Sequence, residues 1–199
     1  MASFVLMDHP SHIIDIPKEF YSFSSGALFE RCIDCDRYLL EKETEYFIEK
    51  AIKKYDGYAA QDVIFEYAIC SDCAERVRKD MSKESLKKVE NFFLHQVDMM
   101  QRMEMIMDNP GNPSAYINQC LVMGTNVDDL QEFQLYAHCK GDKLELGQMP
   151  YLISGAVLDE IQHLLSSQTL DELNGFMGKH FGPAPDLMEP IPSRRVVLI

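Results

Sequence analysis

Two identically spaced cysteine doublets, Cys32-Ile33-Asp34-Cys35 and Cys70-Ser71-Asp72-Cys73, constrain this chain more than any other feature. A two-residue spacer lets both thiolates of a doublet turn toward one ion, and two doublets complete a tetrahedral shell of four sulfurs. Zinc prefers that shell, and a shell closed by protein leaves no open position for water or substrate. The 34 residues between the doublets exceed the usual zinc-ribbon gap of roughly 15 to 20, so ordered structure or an inserted loop must fill them. A redox pair of the thioredoxin kind would follow a βαβ pattern and would not need the second doublet. Disulfides belong to oxidising compartments. The N-terminal MASFVLMDHPSH has neither the basic segment nor the apolar stretch of a secretory leader, so the expected location is cytoplasmic.

Local patterns say how the gap is filled. Tyr38-Leu39-Leu40 and Glu45–Ile48 read as short strands around a polar turn, residues 50–62 as an excursion, and Val63–Ile69 as a strand running into Cys70. Beyond Cys73, Ala74, Val77 and Met81 recur at helical spacing, which puts the second doublet at a helix start. The unpaired N–H groups of a helix N-terminus stabilise thiolate sulfur.

A cysteine knuckle, a β-hairpin and a helix that carries the last two ligands resembles the treble-clef zinc finger, over about residues 30–82. By that resemblance Cys32 and Cys35 are the knuckle ligands of a structural zinc, and Cys70 and Cys73 are the helix ligands. Treble clefs that cut nucleic acid use a histidine within the hairpin or helix, and no histidine lies between Cys32 and Cys73.

The second half repeats the first. At a constant offset of 84, Tyr67, Ile69, Ser82, Leu86 and Phe92 meet Tyr151, Ile153, Ser166, Leu170 and Phe176. Val77, Met81, Val89 and Phe93 meet Ile161, Leu165, Leu173 and Met177, so the apolar faces coincide. Upstream, Cys32 falls on Cys120, and Glu45–Ile48 on Glu132–Leu135. At the other ligand positions stand Met123, Ser154 and Val157, which supply no thiolate. The second copy is therefore expected to be metal-free, with Cys120 and Cys139 as buried thiols. A residual site of Cys120, His138 and Cys139 is disfavoured, because adjacent strand residues point to opposite faces. In this copy Glu132–Cys139 and Lys143–Leu146 read as a hairpin around Gly141-Asp142, and Val157–Leu165 and Thr169–His180 as paired helices capped at Ser166 or Ser167.

The expected fold class is α+β, as tandem treble-clef-like modules. The divisions are an arm over 1–30, a zinc module with a long helix over 31–107, a degenerate copy over 114–182, and a proline-rich extended tail over 183–199. That helix is expected from Lys83 to Met107, ended by Asp108-Asn109-Pro110-Gly111. Its Met99, Met100, Met103, Met105 and Met107 read as cover for the second module rather than an adaptable partner surface.

A net charge of −13 argues against a general nucleic-acid binder. No apolar run reaches the ~18 residues of a membrane span. Residues 31–107 carry 13 basic and 16 acidic side chains, and residues 108–180 carry 3 and 10. Arg76, Arg78, Lys79, Lys83, Lys87 and Lys88 form the one candidate anion face, yet Glu75, Asp80, Glu84 and Glu90 interleave with them. No Ser/His/Asp set, phosphate loop or HExxH pattern occurs. The carboxylate pairs Asp128-Asp129 and Asp159-Glu160 are too ordinary to assign catalysis. The expected function is a non-enzymatic zinc-binding adaptor that contacts other proteins. The alternative is a nucleic-acid-associated accessory factor that uses the basic face at 76–88.

Overall fold

The computed structural model describes residues 12–55, 57 and 61–182. The first residues of the arm and the tail over 183–199 lie outside them. The fold is α+β. Among the described residues, six strands form one antiparallel sheet: β1 (His12–Asp15), β2 (Glu45–Lys54), β3 (Gln61–Cys70), β4 (Glu132–Lys140), β5 (Lys143–Leu146) and β6 (Tyr151–Ser154). Six helices accompany it: α1 (Ser71–Asp80), α2 (Lys83–Gln96), α3 (Met99–Asp108), α4 (Pro113–Ile117), α5 (Gly155–Leu164) and α6 (Ser167–Phe181).

The sheet runs β1-β5-β4-β2-β3, and β6 also pairs with β4. At its centre β2 and β4 lie antiparallel, from Glu45 opposite Lys140 to Lys53 opposite Glu132. On their outer sides Tyr46 pairs with Cys70 and Glu49 with Tyr67, while Phe133 pairs with Ser154 and Tyr136 with Tyr151. The halves thus join strand to strand, and their buried apolar residues form one continuous core.

Helices cover one face of the sheet. Tyr67 meets Phe176 of α6 at 5.6 Å between ring centroids, and Phe65 meets Phe181 at 5.7 Å. The N-terminal segment covers the opposite face. There Lys50 donates to the Tyr21 carbonyl at 2.6 Å and pairs with Glu66 at 3.2 Å. Glu66 in turn accepts from the Ser22 hydroxyl and the Phe23 N–H.

Three local expectations change. Residues 50–54 continue β2 rather than forming an excursion, because their cross-strand partners on β4 extend the ladder to Lys53. Tyr38 makes only an isolated bridge with Arg31. The helix expected from Lys83 to Met107 is two helices: Val97 is extended, and Asp98 caps α3 by accepting from the Gln101 N–H at 3.0 Å. An aspartate side chain competes well for free N–H groups, so it starts a new helix there.

The N-terminal arm is partly strand, since β1 pairs with β5 from His12 opposite Leu146 to Asp15 opposite Lys143. Cys120 and Cys139 are fully buried. No helix among the described residues is long and apolar enough to cross a membrane.

Candidate metal centre

Three pieces of backbone build the cysteine cluster. The first doublet forms a tight knuckle in which the Cys32 N–H donates to the Arg37 carbonyl at 2.9 Å and the Asp36 N–H returns to the Cys32 carbonyl at 3.0 Å. Closing that loop puts Asp36 at φ +60°, a left-handed conformation that aspartate tolerates better than most residues. The Ile33 N–H then anchors the knuckle to the Ala68 carbonyl of β3 at 2.9 Å. β3 ends at Cys70, the N-cap of α1, and Cys73 follows on its first turn.

The four Sγ atoms of Cys32, Cys35, Cys70 and Cys73 all lie within 4.8 Å of one another, with Cys35 and Cys70 at 3.7 Å. A tetrahedron with Zn–S bonds of about 2.3 Å has sulfur–sulfur edges of about 3.8 Å. The donor set therefore fits one metal ion in the manner of a zinc finger. Cys32, Cys70 and Cys73 are buried and Cys35 is exposed, which leaves an entry side.

The surroundings favour thiolate. The Cys70 N–H donates to Cys32 Sγ at 3.4 Å, and Arg76 Nη2 reaches Cys73 Sγ at 3.0 Å. Burial opposes ionisation of Cys32, yet the N–H groups of Cys70, Cys35 and Asp34 outweigh it and hold that thiol below its usual range. Burial pushes the Cys73 thiol up, and the neighbouring Cys35 and Cys70 thiols push the same way. A divalent ion would remove that conflict by taking all four as thiolates. The set would then carry two negative charges, which Arg76, already at Cys73 Sγ, would partly offset.

Asp34, inside the first doublet, is 9% exposed and pairs with Arg76, with Lys179 and, at 3.2 Å, with His180. Its carboxyl falls to about 2, drawn down first by the Lys179 hydrogen bond and then by Arg76, against burial. The knuckle is thereby tied to α6. Sequence reasoning missed this clasp; its one local signal is an acidic residue between two ligands.

The second half carries the same local bonds at its own positions. Cys120 N–H donates to the Thr125 carbonyl, Gly124 N–H to the Cys120 carbonyl and Leu121 N–H to the Leu152 carbonyl, each at 2.8 Å. Gly124, at φ +65°, takes the place of Asp36. The Ser154 N–H meets Cys120 Sγ at 3.4 Å, and Ser154 Oγ lies 3.7 Å from Met123 Sδ. Val157, on the first turn of α5, is fully buried.

Among the described residues, the four-cysteine set is the one group of three or more Cys, His, Asp or Glu gathered this closely. Cys120, His138 and Cys139 are not so gathered, and His138 instead approaches Glu145 at 3.2 Å. Asp128 and Asp129 lie in an exposed turn, and Asp159 and Glu160 on α5. In the basic face, Arg76 is bound to Asp34, Lys79 pairs with Glu75 at 3.0 Å and Lys88 with Glu84 at 2.7 Å. Arg78 lines a cavity beside the sheet, and Lys83 and Lys87 lie on α2. Compared with protein-family models, with curated proteins and with solved structures, the chain finds no match.

Proposed function

We propose that this chain is a non-enzymatic adaptor of two treble-clef-like modules, the first held by one structural zinc and the second a metal-free copy, working in the cytoplasm through contacts with other proteins. One observation carries the reading. The knuckle and helix-start bonds around Cys32 and Cys70 recur around Cys120 and Ser154, but three of the four ligand positions there, Met123, Ser154 and Val157, offer no thiolate. A site whose scaffold persists after its ligands have gone serves packing rather than reaction. A shell of four cysteines likewise has no position for substrate.

Restoring the ligands tests the duplication. The triple variant Met123→Cys, Ser154→Cys, Val157→Cys, with the native Cys120, is expected to raise bound zinc from one to two ions per chain by elemental analysis. A native protein without zinc, or a triple variant that still binds one ion, refutes the two-module account. Affinity capture with native protein and with Cys70→Ser tests the adaptor role: protein partners that need the metal support it. Salt-dependent capture of RNA or DNA, weakened by Lys87→Glu with Lys88→Glu, replaces it with the nucleic-acid accessory reading.

A further inference from the structure

Between the sheet and α1 lies a cavity of about 290 Å³ with a buried carboxyl in its wall. Glu49 sits on β2, directly opposite Tyr67 on one side and Tyr136 on the other. Cross-strand partners share a sheet face, and Phe47, two residues away, shares it too. Three aromatic residues and one buried acid thus line a single concavity, closed by Met149 and by Ala74 of α1.

The acid is poorly satisfied. Glu49 is 2% exposed; its Oε2 accepts from the Tyr67 hydroxyl at 2.5 Å, and its Oε1 has no hydrogen-bond partner. Its neighbour Lys50 turns to the other face and pairs with Glu66. A buried carboxyl oxygen without a partner is destabilising, a cost that a bound group can relieve. Glu49 and Tyr136 also occupy matching positions of β2 and β4, at an offset of 87, and face each other across the centre of the sheet. The acid is thus what distinguishes the first half from the second at that point.

We propose that this cavity binds a small alkylammonium cation, seated against Phe47, Tyr67 and Tyr136 with its charge on the Glu49 carboxylate. Aromatic faces attract organic cations, and cages of aromatic rings take quaternary ammonium groups. A divalent metal would need several oxygen ligands, whereas Glu49 supplies the one carboxylate in the cavity floor. At the rim stand Glu75, already paired with Lys79, and Arg78. The volume is at the small end for ligand sites and suits one ammonium head, whether of a free small amine or of an alkylated lysine side chain. The inference stands apart from the adaptor reading and does not depend on the identity of the metal.

Binding is linked to a proton. Burial pushes the Glu49 carboxyl up to about 8, against the lowering effect of the Tyr67 hydrogen bond. Tyr67, Tyr136 and Tyr151 are themselves raised by burial and by the charge of Glu49, so they stay neutral. At pH 7 the free protein therefore carries a protonated Glu49, and the incoming cation replaces that proton, which leaves to buffer.

The test is calorimetric titration of the zinc-loaded full chain at pH 7, in two buffers of different ionisation enthalpy. The probes are tetramethylammonium, choline and a short peptide carrying one trimethyllysine. Expected are saturable one-to-one binding with proton release, and a loss of at least about tenfold in Glu49→Gln. Ala74→Leu, which fills the cavity from α1 without touching the sheet, is expected to abolish binding while thermal stability is retained. A peptide at least about tenfold tighter than tetramethylammonium assigns the site to a protein side chain; comparable affinities assign it to a free small cation. No saturable binding of any probe, or affinity unchanged in Glu49→Gln, overturns the proposal.

Discussion

Asp34 accepts a hydrogen bond from Lys179, 145 residues later in the chain, so the cysteine knuckle holds the last helix. Asp34→Asn removes the charge while keeping the shape. It is expected to cost about 1.5–3 kcal/mol, the range for hydrogen bonds to charged groups, and to speed hydrogen exchange at the end of α6. The carboxyl is depressed to about 2, below an unfolded value of about 3.9. Its contribution is therefore complete above about pH 4 and is lost as the pH falls toward 2. Denaturant melts of the two proteins at pH 7 should differ, and the difference should close on acidification.

The N-caps of α2 and α6 face each other through four hydroxyls. The Ser82 N–H donates to Thr169 Oγ1 at 3.0 Å, and the Ser166 N–H donates to Ser85 Oγ at 2.9 Å. Ser85 and Thr169 are themselves 3.1 Å apart and fully buried. Thr169→Val keeps the volume but leaves the Ser82 N–H unpaired, for about 1–3 kcal/mol. In a chain of this size that is a fall of several degrees in Tm. Ser85→Ala is expected to cost a similar amount. The double variant should fall short of the sum, because the two side chains share a hydrogen bond; a thermal-melt double-mutant cycle measures it.

Chelation gives a spatial signature. Removing the metal leaves four clustered thiols in conflict, and the knuckle then keeps only its backbone bonds and the Asp34 clasp to α6. Hydrogen exchange should rise first over residues 31–39 and α1, while β4 and α5 remain protected. Cys70→Ser should reproduce the pattern without chelator. Because β2 and β4 share one sheet, the rest of the chain should lose Tm without separating into an independent transition.

The raised carboxyl of Glu49 has a stability consequence of the opposite sign to that of Asp34. Its folded value of about 8 lies above the ordinary 4.5, so the folded state holds a proton that the unfolded chain gives up. Stability is lost as the pH rises from 4.5 toward 8, and the loss levels off above that. Glu49→Gln escapes it. The variant should match the native protein near pH 4, exceed it progressively up to pH 8, and keep a constant advantage at pH 9, as read by denaturant midpoints.

What the sequence disclosed follows from how local each signal is. The doublets at Cys32 and Cys70 were legible because metal geometry imposes short spacings. The cap of α6 was legible as Ser166 or Ser167 because capping acts over three residues, and the structure places it at Ser166. The β2–β4 pairing left no such mark: two buried strands 87 residues apart can find many partners on composition alone. Glu49 was missed for a related reason. The strand reads as ending at Ile48, with the charged Glu49-Lys50 as its exit, and only a sheet covered on both faces buries that pair. The break at Val97-Asp98 was hidden because no proline or glycine marks it, although Asp98 is a good cap.

The ladder from Glu45–Lys140 to Lys53–Glu132 also bears on what happens when the chain is divided. Severed near Pro110, each fragment would expose its central strand along an unprotected border, hungry for hydrogen bonds. Such a fragment should recapture its lost companion or couple with another of its own kind. Co-expressed pieces would then rebuild the whole, and solitary ones would pair up or precipitate.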